Sequence, residues 1–447
     1  MTDRRLTSRL AAVLLALVLV AAACGDDSGG EATDDTAVPT ASDSTTTTAV
    51  EIDPAEGAQS PSASVRADLT SLLQEHVYLV GLTVAQGVAD GTDVSAAGSQ
   101  PVADDAEPEA TDTTQAAADS QDAASDIERV AGTVEENSAD LAAAIGSVYG
   151  LVPGEAFLAE WEAHVNAFFD YASARAEGDE AAATTARADL ESNAEELGDL
   201  LASVNDEVTT EGFVTAFQPH IDTMLTAIDG LVAADPAAWS ALREAAQVTP
   251  DIALVLAEAI ATQQRLDGDV EGPGSDLRAD LTNLLQEDVY LAGAAVGQVL
   301  ETGDAASPDA AGALAALDES SVALSQVMGE LYGDEAGAEF LTLWQSKDGL
   351  FVDYALAMAA EDTAAADAAL EGLHDVREEI GEFVESNNEL LSSEAVAAEL
   401  QPHVDTFIAA IDAAVELSPE RFEDLRVAAQ VMPVTALTLA GNLQIDA

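Results

Sequence analysis

Three histidines are the residues of this chain best suited to chemistry: His76, His164 and His220. Each lies on an apolar stripe with alternating three- and four-residue spacing. The stripes are Leu69, Leu73, His76, Val80 and Thr83; Phe157, Trp161, His164 and Phe168; and Phe213, Phe217, His220 and Met224. That spacing turns side chains into the core of a helical bundle. Asn137 and Asn193 hold the same place on two further stripes. A buried polar side chain is costly unless its neighbours satisfy it, so one on each of five successive helices implies a shared cluster. Imidazole nitrogens ligate zinc, copper or iron, and the Asn amides would then support the ligands from outside. The same pattern fits a ligand-free hydrogen-bond network that fixes helix register. None of these three histidines belongs to a His-x-x-His or Glu-x-x-His pair, so the geometry rests on the fold.

The elements that position these residues occur twice. DLTSLLQEHVYLV at 68–80 returns as DLTNLLQEDVYLA at 280–292, with ten of thirteen positions identical. Residues 157–172 match 340–355, 218–229 match 401–412, and 243–250 match 426–433. The offset is 212 residues at the first segment and 183 at the later ones. The difference falls between Gly91 and about Gln121, in an acidic stretch poor in apolar residues, expected as a disordered insert at about 92–121. Each copy shows about six helical segments; in copy one they are roughly 64–89, 123–148, 155–177, 179–204, 209–234 and 236–264. Gly150, Gly178 and Gly333 mark helix ends. Asp235-Pro236 and Ser418-Pro419 read as N-caps followed by Pro at the first helical position. Pro219, Pro250, Pro402 and Pro433 fall inside apolar-periodic stretches and predict kinks or restarts. Short connections favour antiparallel neighbours. The expected fold is all-α: two tandem up-and-down bundles, at 63–264 and 276–447, joined by a linker at 265–275.

Copy two departs from copy one at the polar positions. His76 is replaced by Asp288, Asn137 by Ser320, His164 by Lys347 and Asn193 by Val376, while His220 persists as His403. Lys347 is the only Lys in the chain. A buried Lys requires a partner, and Asp288 is the natural one, so an Asp288–Lys347 ion pair is expected in copy two. His374 falls on a polar face and reads as a surface residue. Tyr171 and Tyr354 read as packed rings with bonded hydroxyls, and Trp161, Trp239 and Trp344 as core.

The chain has 84 acidic and 14 basic residues, a formal charge of −70. Such a surface repels nucleic acid and anionic headgroups. It suits high ionic strength, where self-repulsion is screened, and it also fits a plain compositional bias. No Gly-rich phosphate loop, Gly-x-Ser-x-Gly elbow or Cys-based zinc pattern occurs, and no triad suggests itself, so the expectation is a binding or scaffold protein and not an enzyme. At the N-terminus, Arg4, Arg5 and Arg9 precede an apolar run from Leu10 to about Val20, and Ala21, Ala22 and Ala23 lead into Cys24, the only Cys.

That N-terminus resembles a bacterial lipoprotein signal, which implies a signal peptide at 1–23 and a diacylated Cys24. The expected location is the outer face of the cell membrane, with the lipid as membrane partner. Residues 24–62 would then be a disordered acidic linker lifting the globular part from the membrane. Beyond it, LLQEHVYL at 72–79, WEAHVNAFFDY at 161–171 and NAEEL at 193–197 resemble units of poorly characterised secreted helical proteins of actinobacteria and bacilli. The resemblance implies an all-helical extracytoplasmic fold and carries no established activity.

Overall fold

The computed structural model describes residues 54–95 and 126–442. Cys24, the linker before residue 54 and residues 96–121 of the expected insert lie outside the described residues. The fold is all-α, and no strand occurs among the described residues. A short α1 (Pro54–Ala58) precedes the first repeat. That repeat comprises α2 (Pro61–Asp90), α3 (Asp126–Tyr149), α4 (Leu151–Glu177), α5 (Glu180–Val204), α6 (Thr210–Val232), α7 (Ala238–Ala246) and α8 (Thr249–Gln264). The second comprises α9 (Pro273–Thr302), α10 (Pro308–Tyr332), α11 (Asp334–Ala359), α12 (Thr363–Asn387), α13 (Ser393–Val415), α14 (Arg421–Gln430) and α15 (Met432–Ala440).

Local chemistry sets the boundaries. Ser60, Asp179, Thr209, Ser307, Asp362 and Ser392 each accept a backbone N–H at a helix start. Gly178 ends α4 in the left-handed conformation, with φ 72°, which a residue with a Cβ resists. The proline expectations divide. The sixth segment is broken: α7 stops at Ala246, and α8 restarts at Thr249 with Pro250 in its first turn. Pro433 does the same for α15. Pro219 and Pro402 instead lie inside unbroken α6 and α13. Asp235 and Ser418 cap a preliminary turn, accepting from Ala237 and Glu420, and the α-helices begin two residues later than expected.

The repeats are packed as one compact unit. α2 and α9, the helices that open the two repeats, lie against each other at its centre. The repeated Gln-Glu-x-Val-Tyr stripe makes that contact. Tyr78 stacks on Tyr290 with ring centroids 5.3 Å apart and planes 13° from parallel. Gln74 Nε2 donates to the side chain and the carbonyl of Asn283, at 2.6 and 2.7 Å. Each repeat then sends an arginine into the other. Arg243 of α7 bonds Glu287 of α9 at 2.7 Å. Arg426 of α14 bonds Glu75 of α2, and also Glu136 at 3.0 Å and Asp140 at 2.6 Å on α3. Both glutamates are fully buried. Burial pushes each carboxyl upward, and the facing arginine opposes that push. The residues flanking His76 thus face the other repeat, while His76 itself faces its own bundle.

Candidate metal centre

α2, α4 and α6 bring His76, His164 and His220 to one point in the core of repeat one. Their exposures are 0%, 0% and 1%. Ring centroids are 5.4–5.5 Å apart for all three pairs. His164 Nε2 and His220 Nε2 are separated by 3.2 Å, and one ring nitrogen from each of the three lies within 4.8 Å of the others. Metal–nitrogen bonds of about 2.0–2.1 Å require donor atoms about 3.3–3.5 Å apart. Two imidazoles therefore already stand at ligating separation, and the third has a ring nitrogen within 4.8 Å of them. Both nitrogens of His76, and Nδ1 of His164 and of His220, are buried without hydrogen-bond partners. No bond has to be broken for His76 to turn.

The wall is aromatic. Trp161 meets His76 and His164 at 4.9 and 5.1 Å, Phe168 meets His164 edge-on at 4.7 Å, and Phe217 meets His164 and His220 at 5.0 and 5.2 Å. Burial drives the protonation equilibria of the three imidazoles downward. His220 falls to about 3, and His76 and His164 fall well below the usual histidine range, with the neighbouring imidazoles adding to the effect. The rings are neutral at pH 7, so each offers one lone pair, and a cation would take the place of the hydrogen bond between the Nε2 atoms of His164 and His220.

Asn137 and Asn193 are buried on their stripes but do not join the imidazoles, which corrects the expectation of a five-residue cluster. Asn137 Nδ2 donates to the Leu72 carbonyl at 3.0 Å, and Asn193 Nδ2 to the Glu160 carbonyl at 2.9 Å. Each amide fastens its helix to the backbone of a neighbour. A peptide carbonyl within reach satisfies an amide as well as a side chain does, and stripe spacing does not reveal it.

The same location in repeat two holds charge. Lys347 Nζ lies 2.5 Å from Asp288 Oδ2 and 3.1 Å from Asp348 Oδ1. Trp344 Nε1 donates to Asp288 Oδ1 at 2.8 Å, and Ser321 donates to Asp348 at 2.9 Å. The ammonium lies 3.6 Å from the centre of the Trp344 ring. Burial alone would lower the Lys347 equilibrium, and the two carboxylates more than offset it. Burial, then Asp288, raise Asp348 to about 7. His403 is buried beside this group and stays neutral. His374 is a surface residue, and the three Trp are buried. Tyr171 and Tyr354 donate to Asp229 and Asp412 at 3.1 and 2.8 Å.

Three participants were not singled out from sequence: Asp348, Arg243 and Arg426. For the arginines a signal existed. With 14 basic residues in 447, an Arg kept at the same place in REAAQV and RVAAQV marks a requirement. Asp348 has no such signal, because Val165 stands there in repeat one. No family model, curated protein or solved structure matches this chain.

Proposed function

We propose that the protein is a cation-binding module, lipid-anchored through Cys24 on the outer face of the cell membrane, whose ligand is a metal ion held by His76, His164 and His220. The observation that carries the reading is the 3.2 Å approach of two imidazole nitrogens with a third imidazole beside them, all buried and neutral. One imidazole N–H is taken up between His164 and His220; the other two have no acceptor, and each costs about 1–3 kcal/mol when buried. A cation at their centre gives the converging lone pairs a use. The surface charge of −70 draws cations toward the protein at low ionic strength. The groups of this site bind and enclose a cation.

A second reading, a purely structural envelope protein, is favoured by repeat two, which fills the same chamber with its own ion pair. Metal analysis and thermal melting of the purified mature protein separate the two. One equivalent of tightly held metal and a ligand-dependent rise in Tm, both lost in His76→Ala and His164→Ala, support the metal reading. No metal and no shift in Tm across zinc, copper and iron would leave the structural one. Globomycin-sensitive processing and loss of membrane attachment in Cys24→Ser test the anchor.

A further inference from the structure

We infer that the chamber of repeat one selects a monovalent soft cation, Cu(I), over Zn(II); this rests on the reading of the three imidazoles as a cation site. The first argument is charge. The donors are imidazoles, which ligate a metal as neutral groups, and among the described residues none of the three histidines takes part in an ion pair. Desolvation cost scales with the square of the charge, so a dication costs about four times as much to bury as a monocation of the same size. No carboxylate is bonded to the rings to offset the difference.

The second argument is coordination. At 0–1% exposure the rings are shielded from bulk water, and among the described residues the cluster's His, Cys, Asp and Glu donors are these three imidazoles alone. Zn(II) is held by four ligands, with water or substrate filling any place that the protein leaves. A filled-shell monocation is content with two or three soft or borderline donors. The third argument is the wall. Trp161, Phe168 and Phe217 present aromatic surface to the cluster, which favours a poorly hydrated cation.

Repeat two supplies an internal comparison. There the residue equivalent to His164 is Lys347, and its ammonium lies 3.6 Å from the centre of the Trp344 ring, where Trp344 is the counterpart of Trp161. One charge over this indole is what the repeat already accommodates when the cation is built into the chain. That cation is accompanied by Asp288 and Asp348; repeat one has His76 and Val165 in their places.

The test is anaerobic titration of the full mature chain with Cu(I), with Ag(I) as a redox-inert monovalent probe, and with Zn(II), each against a competing chelator. The expected result is one Cu(I) or Ag(I) per chain, held at least roughly 100-fold more tightly than Zn(II), and lost in His164→Gln. An NMR titration of the wild type with Ag(I) needs no variant. The imidazole signals of His76, His164 and His220 should move, and those of His374 and His403 should not. Zn(II) bound as tightly as Cu(I) at these three histidines would overturn the selectivity and leave the metal site standing. If neither ion moved the three imidazole signals, the metal reading itself would fall.

Discussion

Lys347 Nζ lies 2.5 Å from Asp288 Oδ2, in the chamber where repeat one places His164 and His76. The two repeats thus use one backbone frame for two solutions to the same problem. One closes the chamber with an internal cation and its counter-ions. The other leaves three neutral donors converging on a point.

If the frame is shared, the solutions are interchangeable. Asp288→His together with Lys347→His would give repeat two the three imidazoles of repeat one, since His403, Trp344 and Phe351 already stand in place. Metal stoichiometry should rise from one to two per chain, read by elemental analysis. A stoichiometry that stayed at one would mean that Leu400, which replaces Phe217, or Asp348 decides the site.

Lys347→Met alone should behave differently. It leaves Asp288 and Asp348 buried without their cation, and removing one partner of a buried pair costs about 3–5 kcal/mol. The loss should appear in urea denaturation at pH 7. It should be largely recovered when Asp288 and Asp348 are also made Asn, because no uncompensated charge then remains.

Asp348 gives the protein a pH dependence with a definite sign. Its folded equilibrium is raised to about 7 from 3.8, so the fold binds its proton more tightly than the unfolded chain does. The cost of ionising it is absent below about pH 4, grows through the interval and is complete above about pH 7. Asp348→Asn should therefore match the wild type near pH 4 and exceed it by on the order of 2–4 kcal/mol at pH 8. A stability difference independent of pH would refute the assignment.

Arg426 joins α14 of repeat two to α2 of repeat one, through Glu75. Arg426→Met should cost about 3–5 kcal/mol by stranding that carboxylate. The arginines that cross between repeats also make the halves fold together. Far-UV circular dichroism and Trp fluorescence, with Trp161 and Trp239 in one repeat and Trp344 in the other, should report a single coincident transition. Two separated transitions would show that the central contact is weak.

Gly312 of α10 faces the Pro236 carbonyl of the other repeat so closely that a Cβ would overlap backbone atoms. Gly312→Ala should cost about 1–3 kcal/mol by forcing the repeats apart, read as a lower Tm. Gly297, with open space around it, is the control: Ala there replaces a helix-interior Gly and should be neutral or mildly stabilising.

Spacing, caps and breakers along the chain set the helices, their repetition and the inward face of each. Caps such as Ser60 and Asp179 and restarts such as Pro250 act within a few residues, so they are legible in order along the chain. The same period placed His76, His164 and His220 in a core, and a buried Lys347 pointed to Asp288, because a charge without water needs an opposite charge. What no local rule could supply was which buried groups meet. Asn137 and Asn193 share the histidines' spacing, yet they bond to the carbonyls of Leu72 and Glu160. Glu75 and Arg426 are 351 residues apart and touch. Only the packing of α2 against α9 decided that Gln74, Glu75 and Tyr78 form the seam between repeats while His76, on the same turn, faces the chamber. A helix presents side chains in every direction, and the neighbours that claim each direction belong to the tertiary fold.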